Sequence, residues 1–366
     1  MNELTIGLLG ALLATNQPLA VSNVIKEQTG VSVPVTADPV DRELRQVMIA
    51  DDAAMDEVQK WIEDFTSQPV TNQTRSASVE LNRKIMARFD MVRTAYGTFL
   101  QRHPDSAKGY LAYGSFLHDI GDEQAAKVQY LNSKQIDPKN PAVWNQLANY
   151  YGHNGELTNA FAHYTEAIRL DPAEPVYYQN FATTVYLYRK DAQEFYHITE
   201  QQVFDKALDL YRQAMALEPD SLVLATDYAM SYYGIKPIRT NDALAAWTNA
   251  LKTARAEVEM EAVQIHLART KISVGMFDEA RAHLALVTNA VYAELKRRVT
   301  RSLNDHENPT TEESSVGTIK VKEQVSAATG KVSSLTNMSA ETNNSSLPAT
   351  NLIMVLPPPS IPAGTN

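Results

Sequence analysis

Acid–proline pairs punctuate the middle of this chain, and the first two prolines, Pro138 and Pro172, stand 34 residues apart. A fixed period constrains a fold more than composition does, because each period must be one supersecondary unit that buries its apolar face on its neighbour. The clearest period is 141–174, PAVWNQLANYYGHNGELTNAFAHYTEAIRLDPAE. Trp144, Leu147, Ala148 and Tyr151 recur at helical spacing, Gly155 interrupts, and Ala160, Tyr164 and Ala167 recur again before Pro172. The spacing predicts two antiparallel helices. Ala148 and Ala160 are small where the pair approaches most closely, Gly155 can take the positive φ that leaves the first helix, and Pro172 cannot continue the second.

The same register recurs four more times. It places Tyr110, Tyr113, Gly114, Leu117, Ala126, Tyr130 and Pro138 in 107–140, and Leu267, Ala268, Gly275, Phe277, Ala280 and Leu284 in 261–294. In 222–257 it places Tyr228, Ala229, Tyr232, Ala243, Trp247 and Ala250, with a two-residue expansion around Lys236-Pro237-Ile238. The period 175–221 starts with Tyr178, Phe181 and Ala182 and resumes at Ala207, Tyr211 and Ala214, which leaves 13 extra residues within 189–204. Before the repeats, 40–106 reads as a degenerate pair of amphipathic helices, Val40–Phe65 and Val79–His103; after them, 291–304 reads as a capping helix whose Lys296, Arg297, Arg298 and Arg301 form a solvent face.

At these positions the sequence resembles the tetratricopeptide repeat family, and the strings ANYYGHNG and ATDYAMSYYGI are similar to those of uncharacterised bacterial members. The resemblance implies an all-α, right-handed α-solenoid and a protein–protein interaction scaffold that holds a protein or peptide partner, with no catalysis. In such arrays, positions 2, 5, 9 and 12 of each repeat line the concave face. Carried over, these give a partner-binding groove of Asn145, Asn149, Gln179, Thr183, Tyr186, Thr226, Tyr233 and Arg269, with His153 beside them. Amides and hydroxyls there can bond the main chain of an extended peptide without imposing charge. The family's carboxylate clamp needs lysines where this chain has Leu111 and Asn145, which puts that mode in doubt.

Composition narrows the alternatives. A net charge of −10 lacks the basic face that a phosphate-backbone binder requires, so no nucleic acid is expected. With zero cysteines, thiolate metal sites, disulfides and a cysteine nucleophile are excluded. No nucleotide-binding, zinc-protease or hydrolase motif occurs, and no cofactor is expected. The insertion 189–204 carries Asp191, Glu194, His197 and Glu200; His197 and Glu200 could share a helix face and hold a metal, against the plainer reading of an interaction loop. A third reading makes the chain a structural assembly subunit acting through its convex face and tail.

The ends read differently. Leu4–Thr15 is a short apolar run followed by small residues at Ala20-Val21-Ser22, the order of an export signal, but Met1-Asn2-Glu3 brings an acid where such signals are positive. Residues 1–22 are therefore either a cleaved signal, which would make the protein periplasmic or extracellular, or a disordered extension of a cytoplasmic one. Residues 23–39 read as a linker. No stretch is long enough to span a membrane. From 305 to 366, Ser, Thr, Asn and Pro dominate, the composition of a disordered tail, with an apolar island at 352–359 that is a docking motif or an inert end.

Overall fold

The computed structural model describes residues 38–67 and 74–308. The expectations for 1–22, for nearly all of the linker and for the tail beyond 308, including 352–359, lie outside the described residues. Fourteen α-helices and two short 3-10 turns, with no strand, make up the described residues. They are α1 (Pro39–Thr66), α2 (Thr74–Arg102), α3 (Ala107–Asp119), α4 (Glu123–Ile136), α5 (Pro141–His153), α6 (Leu157–Leu170) and α7 (Pro175–Leu187). There follow α8 (Arg189–Tyr196), α9 (Glu200–Leu217), α10 (Leu222–Ser231), α11 (Thr240–Thr253), α12 (Glu257–Ile272), α13 (Phe277–Ala285) and α14 (Ala293–Glu307). The chain is an all-α protein of consecutive helix hairpins, and it divides into two compact bodies, 38–180 and 181–308 in the described residues.

Within a hairpin, the turn is built the same way three times. Gly121, Gly155 and Gly275 take φ of 81°, 77° and 79°, a region that L side chains rarely adopt. The amide after each glycine then reaches back five residues: Asp122 to the Leu117 carbonyl at 2.8 Å, Glu156 to Tyr151 at 2.9 Å, and Met276 to Lys271 at 2.9 Å. This closure satisfies first-helix carbonyls that would otherwise lack partners. Helix starts are held by side chains: Ser106 accepts from the Gly109 amide at 3.1 Å and Asn140 from the Ala142 amide at 3.0 Å. Pro39, Pro141 and Pro175 open α1, α5 and α7, where a missing amide hydrogen costs nothing.

Small residues set the spacing between the two helices of each pair. Ala126, Ala148, Ala160, Ala182, Ala207, Ala229, Ala268 and Ala280 are completely buried. At Gly114 even a methyl group is too large, since a Cβ would lie 2.5 Å from Tyr130 Cε1 and 3.3 Å from the Ala126 carbonyl. Successive repeats are also tied to the proline that precedes them. Trp144 Nε1 donates to the Pro138 carbonyl at 2.8 Å, and Tyr178, one period on, donates its hydroxyl to the Pro172 carbonyl at 3.1 Å.

In the body 38–180, α1 and α2 bury Leu44, Ala54, Val58, Ile62, Phe89, Val92, Tyr96 and Phe99 in one core with Leu111, Phe116 and Leu117 of α3. Ion pairs frame it: Asp41 accepts from Lys108 at 3.0 Å, Glu43 meets Arg102 and His103, and Arg93 reaches Asp122 at 2.9 Å. In the body 181–308, α14 lays Val299 and Leu303 on Ile265, Ile272 and Leu284. Its outer side carries Arg297, paired with Glu294 at 2.7 Å, whereas Lys296 turns back to donate to the Val287 carbonyl. The helix runs through Glu307, so 305–307, read above as the start of the tail, are helical.

The insertion is helical too, not a loop. Its residues form α8 and lengthen α9 at the front, where Thr199 and Gln202 make a reciprocal capping box. Ala192 is completely buried on the inner side of α8, and that apolar contact is what a surface loop would lack.

One buried polar pair interrupts the first core. Asp51 of α1 is 9% exposed and accepts from the Tyr96 hydroxyl at 2.9 Å. Burial pushes its carboxyl up to about 7; the Tyr96 bond and Arg88 act against this, while Asp119 and Asp52 reinforce it. The folded carboxyl keeps its proton where the unfolded one has released it, so stability falls as pH rises from the ordinary carboxylate range to about 7, then levels. Asp51→Asn retains an acceptor for Tyr96 and removes the charge. Chemical denaturation is expected to give the variant an advantage over wild type that grows by about 2–4 kcal/mol between acidic and neutral pH; parallel pH profiles would show the charge is not buried in solution.

Candidate functional site

The residues assigned to the groove fall on the first helices of their repeats, except Tyr233, which lies in the 3-10 turn Tyr232–Gly234 directly after α10, and their side chains have different uses. In the body 38–180, Asn145 is fully buried and accepts from Asn180 Nδ2 at 3.2 Å. Asn149 has both ends of its amide engaged, donating to Gln146 Oε1 at 3.0 Å and accepting from the Tyr164 hydroxyl at 2.6 Å. Gln146 in turn donates to Ser115 at 3.3 Å. Gln179 is half-buried. His153, at the end of α5, is exposed, with its ring stacked on His118 at 5.6 Å between centroids.

His118 itself bonds Glu123 through Nδ1, at 3.0 Å to Oε1 and 3.1 Å to Oε2. Burial disfavours the imidazolium, but the Glu123 carboxylate outweighs it and holds the imidazole above its usual value. The same contact, working against burial, holds Glu123 below the usual carboxylate range.

In the body 181–308, Thr183 shares a 2.7 Å hydrogen bond with the Tyr211 hydroxyl. Thr226 is buried and bonds the carbonyls of its own helix, Leu222 at 2.8 Å and Val223 at 2.9 Å. Tyr186 is 9% exposed, its hydroxyl against Gly234, where a Cβ would come within 2.1 Å of it.

Tyr233 and Arg269 form the most developed part of this face. The Tyr233 hydroxyl meets His266 Nδ1 at 3.0 Å, and the Arg269 guanidinium lies 5.0 Å from the Tyr233 ring centroid. Trp247 stacks on His266 at 4.4 Å with only 4° between planes. Burial, then the Arg269 charge, push His266 down to about 3, so the imidazole is neutral at physiological pH. Arg269 is exposed and makes no ion pair with the described residues.

Sequence reasoning missed a pattern at the sixth position of the repeats. Gln146, Asn180 and His266 all occupy it, and each reaches back to the preceding repeat, to Ser115, Asn145 and Tyr233 respectively. The available signal was a polar residue one step past the fifth position in four repeats, Asp227 being the fourth.

The metal reading of the insertion does not fit this geometry. His197 ends α8 in the left-handed region at φ 55°, while Glu200 opens α9 and pairs with Arg189 at 2.9 Å. The two do not share a helix, because the chain leaves the helical conformation between Tyr196 and Glu200.

Residues 141–174 match the tetratricopeptide repeat family model. No curated protein matches the chain by sequence. Among solved structures, the chain is similar to PilW, a type IV pilus biogenesis factor, with 13% identity and TM-score 0.46 over 63% of this chain and 100% of that one. It is similar also to PilF of Pseudomonas aeruginosa, with 14% identity and TM-score 0.43 over 61% of this chain and 97% of that one. A thermophilic tetratricopeptide protein of Thermus thermophilus matches with 20% identity and TM-score 0.40 over 54% of this chain and 99% of that one.

The part-buried Tyr233–His266 contact has a spectroscopic consequence. Side-chain NMR of His266 is expected to show one neutral tautomer with no inflection between about pH 5 and about pH 8. A midpoint in that range would mean that the ring is solvated and that the Tyr233–Arg269 arrangement is not held.

Proposed function

We propose that the chain is a non-catalytic interaction module that holds an extended or helical segment of a partner protein against the first-helix face of its repeats. The observation that carries this reading is Arg269: an exposed guanidinium, stacked on Tyr233 and with no ion-pair partner among the described residues. A planar fork held in one place can donate two parallel hydrogen bonds to a carboxylate. The neutral His266 beneath Tyr233 adds no competing charge. The site is thus shaped for one carboxylate, while the chain's net charge of −10 disfavours acidic partners generally. The fitting ligand is a peptide with a single acidic residue among neutral or basic ones.

Asn145 and Thr226 enter this reading only as supports, since both are buried. Asn149 acts the same way, and its exchange would disturb the Gln146–Tyr164 link before it disturbed any partner. Tyr233 and Arg269 are the contacts, with His266 fixing the tyrosine.

A peptide array probed with the full chain, followed by anisotropy titration of the tightest binder, tests this. Arg269→Ala is expected to weaken that binder by about tenfold or more, or about 1.4 kcal/mol. Tyr233→Phe keeps the ring beneath the guanidinium and is expected to cost less. Binders without an acidic residue, or equal affinity for Arg269→Ala with unchanged helical content, would overturn the assignment.

A further inference from the structure

We infer that His118, Glu123 and His153 form a binding site for a divalent first-row transition ion, zinc in the first instance. The three side chains come from both ends of one hairpin turn and from the next first helix. His118 is in the last turn of α3, Glu123 opens α4, and His153 is the last residue of α5. The turn between the first two is fixed by Gly121 at φ 81° and by the Asp122 amide bonded to Leu117. One ligating atom from each side chain lies within 4.8 Å of the others.

The donor set selects the ion. Two neutral imidazoles and a carboxylate suit zinc and its neighbours, whereas calcium and magnesium prefer oxygen alone. Sharing an ion at about 2.0–2.2 Å requires ligand atoms to stand roughly 3.4 Å apart in a tetrahedral site. The His118–Glu123 pair is already inside that spacing at 3.0 Å. What remains is for His153, exposed at its helix end, to swing inward by roughly an ångström.

An ion pair alone accounts for His118 and Glu123 but not for His153. That ring lies 12° from parallel with His118 and makes no hydrogen bond with the described residues. An imidazole ligates through the in-plane lone pair of a ring nitrogen, so the ion would sit at the edges of the two stacked rings, where a Glu123 oxygen also reaches. Three protein ligands leave a fourth position for water.

The test uses the full chain without a polyhistidine tag. Equilibrium dialysis against micromolar zinc, read by elemental analysis, is expected to give one zinc per chain. Cobalt substitution is expected to give the visible absorption of a four-coordinate ion. His153→Ala changes an exposed residue, so it is expected to keep the wild-type helical signal while weakening zinc by about tenfold or more; Glu123→Gln should do the same. Absence of zinc from the wild-type chain, or stoichiometric zinc retained by folded His153→Ala, would overturn the assignment.

Discussion

The close approach of paired helices at small residues is the constraint on which this structure depends. With alanine or glycine at the crossing, the paired helices enclose Tyr130, Tyr164 and Tyr211, and each is almost completely buried. A larger residue at any crossing would part the pair and leave a void around those rings, and interiors tolerate neither change well. The glycine turns serve the same end. Their fixed closure returns the chain so quickly that the two short helices must pack against each other.

Once the hairpins are set, the first-helix face inherits its chemistry from what the hairpins do not bury. Polar residues at the sixth position of three repeats reach back to the preceding repeat, which links side chains along the face within each body. Those links explain why amides there are not all offered outward: Asn145 is occupied by Asn180, and Asn149 by Gln146 and Tyr164. Where a link ends on an aromatic ring, as at Tyr233, it leaves a charged neighbour oriented and exposed. Where a link is missing, as at His153, a side chain stays available for another use.

The repeat was legible in the sequence because alanine, glycine and proline have few physical reasons to recur in one register, and the packing uses those reasons directly. The insertion was less legible. Its polar, charged composition suits an exposed loop, and only the buried Ala192 and the Thr199–Gln202 capping box reveal two helices. The face was legible in position but not in exposure. Position 5 identified Asn145 as facing inward, yet whether an inward amide meets a partner or the next helix depends on the residue opposite. His118 stood at a groove position, but its link to Glu123 depends on a turn geometry that brings residues five apart together.

The central claim is that the first-helix face around Tyr233 and Arg269 receives the partner. Hydrogen–deuterium exchange of the full chain, with and without the tightest-binding peptide, addresses it most directly. The account predicts slower exchange in 228–236 and 262–272, with α13 and α14 unchanged. Protection confined to α11, α13 or α14 would contradict it.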